Sequence, residues 1–173
     1  TITITGVRSL TPCTHSVISD RIEAGTFMSA FAITGGCGEI LNVNPVHVKP
    51  VTAKLTEMGA VVTEHENSIA VDARMPLSSA NIKTLPFPGF PTDMQAQFSA
   101  LLCETEGTGI IVETVFENRF LHIGELNRMG ANIRIDGRSS VIEGSKKLSG
   151  SKVTAFDLRG GASLVLAGLC ASG

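Results

Sequence analysis

The chain has no block of like charge, no long apolar run and no paired cysteine spacing. Lys plus Arg total 14 against 16 Asp plus Glu, for a formal net charge of −2. That balance leaves no electrostatic footprint for nucleic acid or an anionic membrane surface. No apolar stretch approaches the roughly 20 residues needed to span a bilayer. The opening Thr1 to Val7 alternates like a strand and has neither the charged start nor the apolar core of an export signal. A cytoplasmic protein is expected. Cys13, Cys37, Cys103 and Cys170 are scattered without a C-x-x-C pair, which favours free thiols. A zinc site built from these with His15, His47, His65 and His122 would need distant loops to converge, so no metal or cofactor is expected.

What the chain does have is 173 residues, 43% of them hydrophobic, which suits a single domain. It also carries an internal duplication. Sliding the sequence against itself by 71 residues aligns Gly36 with Gly107, Leu55 with Leu126, and Met58-Gly59-Ala60 with Met129-Gly130-Ala131. In the first copy a helix is predicted from about Asp20 to Thr34, with Ala24, Phe27 and Phe31 on one face and Gly36 as its stop. A strand Glu39 to Val43 follows, then a helix bearing Val48, Val51, Leu55 and Met58. A hairpin of Val61 to Glu64 with Ser68 to Asp72 closes the copy.

The second copy repeats this order. Met94, Phe98, Leu101 and Leu102 make the apolar stripe of a helix from Asp93 to Thr105. Thr108 to Thr114 reads as a strand and Phe120 to Met129 as a helix. Asn132 to Asp136 and Ser139 to Glu143 form a hairpin turned at Gly137. A third copy begins with a strand Lys152 to Ala155 and a helix Asp157 to Ala171, on which Leu158, Ala162, Val165 and Leu169 share a face. It has a first helix and no second. The expectation is therefore one partial domain, 1–173, with units at about 8–73, 80–144 and an incomplete 151–173. Part of it would lie beyond Gly173, and Thr1 to Val7 would end a preceding unit.

Each first helix starts at an aspartate: Asp20, Asp93 and Asp157. The simplest role of each is to cap exposed N–H groups at the positive end of the helix dipole. If the three starts converge, Arg21, Arg119 and Arg159 beside them make an anion-attracting face. The alternative for each arginine is solvated surface, or balance of the charge on Asp20, Glu117 and Asp157. The clusters Gly35-Gly36-Cys37-Gly38 and Gly107-Thr108-Gly109 follow helices and do not precede them, so they are helix stops and not phosphate loops.

Four longer segments carry a resemblance. Phe87-Pro88-Gly89-Phe90-Pro91-Thr92-Asp93-Met94-Gln95-Ala96-Gln97 resembles the P-x-F-P-T-D-M-Q-A-Q signature of UDP-N-acetylglucosamine enolpyruvyl transferases. Glu113-Thr114-Val115-Phe116-Glu117-Asn118-Arg119-Phe120 is similar to that family's E-T-[IV]-F-E-N-R-F. Ala155-Phe156-Asp157-Leu158-Arg159 resembles its A-T-D-L-R, and Asp20-Arg21-Ile22-Glu23-Ala24-Gly25-Thr26 its D-R-I-E-x-G-T.

The resemblance implies an α+β fold of repeated βαβαββ units, two such domains per enzyme, and a cleft between them. It implies transfer of the enolpyruvyl group of phosphoenolpyruvate to the 3-hydroxyl of UDP-N-acetylglucosamine, at the start of peptidoglycan synthesis. It further implies Asp93 as catalytic base in contact with the sugar hydroxyl, and Val115 as a residue binding the nucleotide sugar. Arg21, Arg119, Asp157 and Arg159 fall near the cleft as substrate-binding or charge-balancing groups. The partners would be the two substrates and the second domain of the same parent chain. A base at a helix start faces a tension, because the dipole lowers a carboxylate's pKa.

The sequence departs from the family at Gly160-Gly161, where small non-glycine residues are usual. Two glycines in a first helical turn loosen it by about 1 kcal/mol each relative to alanine. The family's loop cysteine and its early Lys-Asn pair have no counterpart here. Two rivals remain: the related enzyme acting on shikimate 3-phosphate, and a non-catalytic repeat module that binds an acidic ligand.

Overall fold

A computed structural model describes residues 1–144 and 147–173. The element order is α1 (Arg21–Ile33), β1 (Cys37–Leu41), a 3-10 turn (Pro45–Val48) running into α2 (Lys49–Glu57), and the hairpin β2 (Val61–Glu64) with β3 (Ser68–Asp72). Then come β4 (Ile82–Lys83), a 3-10 turn (Thr92–Met94) leading into α3 (Gln95–Glu104), and β5 (Thr108–Val112). α4 (Leu121–Arg128), the hairpin β6 (Asn132–Asp136) with β7 (Ser139–Glu143), and α5 (Leu158–Cys170) complete the chain. The class is α+β, as expected.

The two copies build two sheets. One is antiparallel with strand order β1-β3-β2; the other has order β4-β5-β7-β6, with β4 parallel to β5 and the rest antiparallel. The repeated Met-Gly-Ala words have a common physical cause. Gly59 at φ 108° and Gly130 at φ 94° take the left-handed conformation that ends α2 and α4. The next amides, of Ala60 and Ala131, then bond back to the Leu55 and Leu126 carbonyls at 3.0 and 3.1 Å. At the end of α1 the left-handed residue is Gly35, with φ 61°, and Gly36 follows it in the same closure.

Helices α1, α3 and α5 pack on one another with the sheets outside. α3 is enclosed on every side: Gln95 through Cys103 are all buried. Two of its polar side chains are tied, Ser99 Oγ donating to the Gln95 carbonyl at 3.0 Å and Gln97 Nε2 to Thr26 Oγ1 at 3.1 Å, while the Gln95 carboxamide is buried with no partner among the described residues. Phe98, Met28, Leu55, Met94 and Leu126 are fully buried. Each such side chain stabilises the fold by roughly 1.5 to 3 kcal/mol.

Four expectations need correction. Of the apolar stripe expected on α1, Ala24 is buried and Phe31 packs partly buried against the core, but Phe27 is 54% exposed, and Ile22, Gly25, Met28, Ser29 and Ala32 also face inward. On α5 the expected face of Leu158, Val165 and Leu169 is likewise exposed, and Gly160, Ser163 and Ala167 are buried. In both helices the inward face mixes large residues, Ile22 and Met28 on α1 and Leu164 and Leu166 on α5, with small ones that let the backbone approach closely; a Cβ on Gly25 would sit 3.0 Å from the Met94 thioether. Thr1 to Val7 forms no strand and is exposed, since alternation alone supplies no ladder partner. Lys152 to Ala155 also pairs with no strand. That segment is tied to α4 instead, Ser151 Oγ donating to the Arg128 carbonyl at 3.0 Å and the Thr154 amide to Glu125 Oε2 at 3.1 Å.

Candidate functional site

The three helix starts do not behave alike. Asp20 caps α1, accepting from the Ile22 amide at 2.7 Å, and Asp157 caps α5, accepting from the Gly160 amide at 2.7 Å. Asp93 caps nothing. The 3-10 turn is opened by Pro91, which places Asp93 inside the turn, where no amide takes its carboxylate. The expectation that it caps its helix is therefore corrected.

Its two oxygens go to two arginines from different parts of the chain. Arg119 Nη2 lies 2.8 Å from Asp93 Oδ1, and Arg159 Nη2 lies 3.3 Å from Asp93 Oδ2. Partial burial pushes the Asp93 carboxyl upward, but the hydrogen bonds and charges of Arg119 and Arg159 outweigh it and hold the group below its ordinary value. Neither arginine forms an ion pair with Glu117 or Asp157 among the described residues. The two guanidiniums and one carboxylate leave a local excess of positive charge at the start of α3.

Arg119 is itself fixed by three contacts. Besides Asp93 it donates from Nη1 to Thr92 Oγ1 at 2.9 Å, and its guanidinium lies over the Phe116 ring at 4.8 Å. Arg159 projects from the first turn of α5, which forms in full despite Gly160 and Gly161. Asp157 closes that turn through its side chain and through its carbonyl, which accepts from the Gly161 amide at 2.9 Å.

The other expected site residues make no hydrogen bond or ion pair with Asp93 among the described residues. Val115 is half-exposed on the loop after β5, its amide donating to Glu113 Oε1 at 2.8 Å. Arg21 opens α1 and lies 5.6 Å from the centre of the Phe87 ring. The two line a hollow of about 540 Å³ together with Ile18, Asp20 and His47. Asp157 stays a helix cap, and its charge acts on buried His122.

Reading the residues alone missed Glu113, Thr92 and His122. Glu113 is fully buried at the position where the strand was expected to run on to Thr114. β5 ends at Val112; the Glu113 amide still donates to the Arg138 carbonyl at 2.8 Å, but its side chain turns to the amides of the loop that follows. A carboxylate two residues beyond the inward-facing Ile111 was the available signal. His122 on α4 is buried, with no partner for Nε2 among the described residues. Burial, with Arg119 adding to it against Asp157, pushes it down to about 4.

Of the four thiols, Cys103 is buried, Cys170 is half-buried, and Cys13 and Cys37 are exposed. Burial raises Cys103 and Cys170 to about 12, and all four cysteines are free. Among the described residues no cluster of three or more His, Cys, Asp or Glu could hold a metal ion, and no helix is long and apolar enough to cross a membrane.

Residues 1–173 match the family described as EPSP synthase (3-phosphoshikimate 1-carboxyvinyltransferase). The chain is 56% identical over its whole length to UDP-N-acetylglucosamine 1-carboxyvinyltransferase 1 of Caldanaerobacter subterraneus subsp. tengcongensis, and 54% identical to UDP-N-acetylglucosamine 1-carboxyvinyltransferase 2 of Clostridium tetani. It spans 42% of the length of each of these curated relatives. Among solved structures it is similar to the enolpyruvyl transferase NikO from Streptomyces tendae. The TM-score is 0.80 and the identity 26%, over 90% of this chain and 37% of that one.

Proposed function

Because this chain belongs to the EPSP synthase family, we propose that its parent protein is a UDP-N-acetylglucosamine enolpyruvyl transferase of peptidoglycan synthesis and that Asp93 is its proton acceptor. The observation that carries this reading is the Asp93 carboxylate, free of any capping duty and gripped by Arg119 and Arg159. High identity along the whole chain to enzymes named for the nucleotide sugar supports that substrate over shikimate 3-phosphate. On this reading the 173 residues are a partial domain with units at about 8–73, 80–144 and 151–173. A second domain of the parent supplies the rest of the cleft.

The reaction joins the sugar 3-hydroxyl oxygen to C2 of phosphoenolpyruvate while C3 gains a proton. Phosphate then leaves and a C3 proton is lost, regenerating the double bond on the sugar ether. Asp93 takes the hydroxyl proton. In the empty site its low pKa makes it a weak base. When the phosphoenolpyruvate anion arrives, Arg119 and Arg159 share their positive charge with it, which returns basicity to Asp93 at the moment it is needed. Val115 contacts the nucleotide sugar, and Arg21 and Asp157 border the anion-attracting face. No cofactor takes part.

Phosphate release by the full-length parent with UDP-N-acetylglucosamine and with shikimate 3-phosphate, each with phosphoenolpyruvate, tests the reading. Turnover with the nucleotide sugar alone is expected. Turnover with shikimate 3-phosphate alone would transfer the assignment to the sister enzyme. Turnover with neither would leave a binding module. The 173-residue chain by itself is expected to release no phosphate.

A further inference from the structure

Glu113 is fully buried, yet its carboxylate forms no ion pair among the described residues. Its carboxylate instead collects four donors. Oε1 accepts from Thr84 Oγ1 at 2.8 Å, the Val115 amide at 2.8 Å and the Phe116 amide at 3.1 Å; Oε2 accepts from Thr92 Oγ1 at 2.8 Å. Two of these, the Val115 and Phe116 amides, hold the loop after β5, and a third, Thr84, ties it to the segment after β4. The fourth leaves that loop and reaches the turn that bears Asp93.

Thr92 also accepts from Arg119, the residue that holds Asp93 Oδ1. The contacts therefore close a ring: Glu113 to Thr92, Thr92 to Arg119, Arg119 over the Phe116 ring, and Phe116 back to Glu113 through its amide. Arg138, in the turn between β6 and β7, clamps the same loop from outside. It donates from Nε to the Glu113 carbonyl at 3.0 Å and from Nη2 to the Phe116 carbonyl at 2.8 Å.

We infer that Glu113 is a positioning residue, joined through the Thr92 hydroxyl to Arg119 and so to Asp93, and that it sets the loop of Val115 and the Asp93 turn in one register. This rests on the reading of Asp93 as proton acceptor. The chemistry calls for a carboxylate and not merely a buried polar group. With no hydrogen of its own, it draws the Thr92 hydroxyl hydrogen toward itself, which leaves the Thr92 oxygen lone pairs facing the Arg119 N–H. A carboxamide at the same place can keep the two amides and Thr84 on its oxygen, but its NH2 then competes with Arg119 for Thr92. The loop survives and the polarity of the tie is reversed.

The test uses the full-length enzyme, with phosphate release followed against both substrates and thermal melting recorded alongside. Thr92→Val and Glu113→Gln are each expected to lower kcat by about tenfold or more, with both KM values within about threefold of the wild type. Thr92→Ser, which keeps the hydroxyl, restores kcat to within about threefold. The double variant Thr92→Val with Glu113→Gln falls no more than about twofold below the worse single, because the two act as one unit. Equal kcat for Thr92→Val and Thr92→Ser, or a double effect equal to the product of the singles, overturns the positioning role while leaving Asp93 in place. If Glu113→Gln fails to fold, the Thr92 pair decides alone. A wild-type enzyme that releases no phosphate overturns the underlying reading, and the positioning role with it.

Discussion

Arg159 Nη2 stands 3.3 Å from Asp93 Oδ2, so the first turn of α5 is electrically joined to the turn that opens α3. Asp20 and Asp157 do the work their helix starts ask of them; Asp93 does not, and its carboxylate meets guanidiniums. A repeated fold places equivalent residues side by side. The place where one copy breaks the rule that the others keep is the candidate for function.

The depressed pKa of Asp93 has a definite consequence for pH dependence. A carboxyl held below its ordinary value of 3.8 stays ionised throughout the neutral range, and its contribution to stability is lost only as pH falls through that lowered value. The full-length enzyme should therefore show no acid limb from Asp93 between about pH 5 and 9 in kcat/KM. Arg159→Met removes one of the two cations and lets the Asp93 pKa rise. It is expected to lower kcat/KM by about a hundredfold, as loss of one charge-stabilising donor does. A pH–rate profile of both proteins checks it; an unchanged kcat/KM in the variant would remove Arg159 from the site.

His122 gives a pH effect on folding of the opposite chemical type. Its pKa is pushed down to about 4 from 6.5, mainly by burial. The folded chain thus resists the proton that the unfolded chain accepts. Stability is full above about pH 6.5 and falls as pH drops toward 4, by up to about 1.4 kcal/mol per pH unit. Urea unfolding of this chain at pH 7.5, 6.0 and 5.0 should show the decline, and His122→Met should flatten it. A wild-type midpoint that holds constant over this range would show that the ring is hydrated or protonated in the fold.

Much of the fold was legible because local signals were strong. The hairpins Val61–Glu64 with Ser68–Asp72 and Asn132–Asp136 with Ser139–Glu143 stand where period-two alternation puts them. The duplicated Met-Gly-Ala words end equivalent helices through one hydrogen-bond pattern. What failed was Phe27 on α1 and the face of Leu158, Val165 and Leu169 on α5. Hydrophobicity marks these exposed side chains, but the packing of three inner helices buries Gly25 and Ser29 beside Ile22 and Met28, and Gly160, Ser163 and Ala167 beside Leu164 and Leu166, and the small residues carry almost no hydrophobic signal. In the candidate site, Asp93, Arg119 and Arg159 could be picked out as residue types. Their mutual pairing, and the buried Glu113 behind them, depend on contacts 20 or more residues apart in the chain, which no local period records.

The glycines of the chain let one substitution be tested with opposite signs. At Gly160 an added Cβ would meet Asp157 Oδ1 and the His122 Cβ at 3.4 Å, an ordinary contact, and the backbone there is not left-handed. Gly160→Ala therefore fills space without displacing anything and restrains the unfolded chain, and a gain of about 0.5 to 1 kcal/mol is expected. At Gly144 the same Cβ would lie 2.0 Å from the Thr105 carbonyl oxygen and 2.7 Å from that of Leu102. Both are backbone atoms at the end of α3 and cannot swing away as a side chain does. Gly144→Ala must push the strand β7 off α3, at a loss of about 1 to 3 kcal/mol or more. Thermal melts of the two variants beside the wild type should move in opposite directions. A Gly144→Ala protein as stable as the wild type would mean that β7 and α3 are not in the close register described here. A destabilised Gly160→Ala protein would mean that the first turn of α5, and with it Arg159, needs the freedom that glycine alone provides.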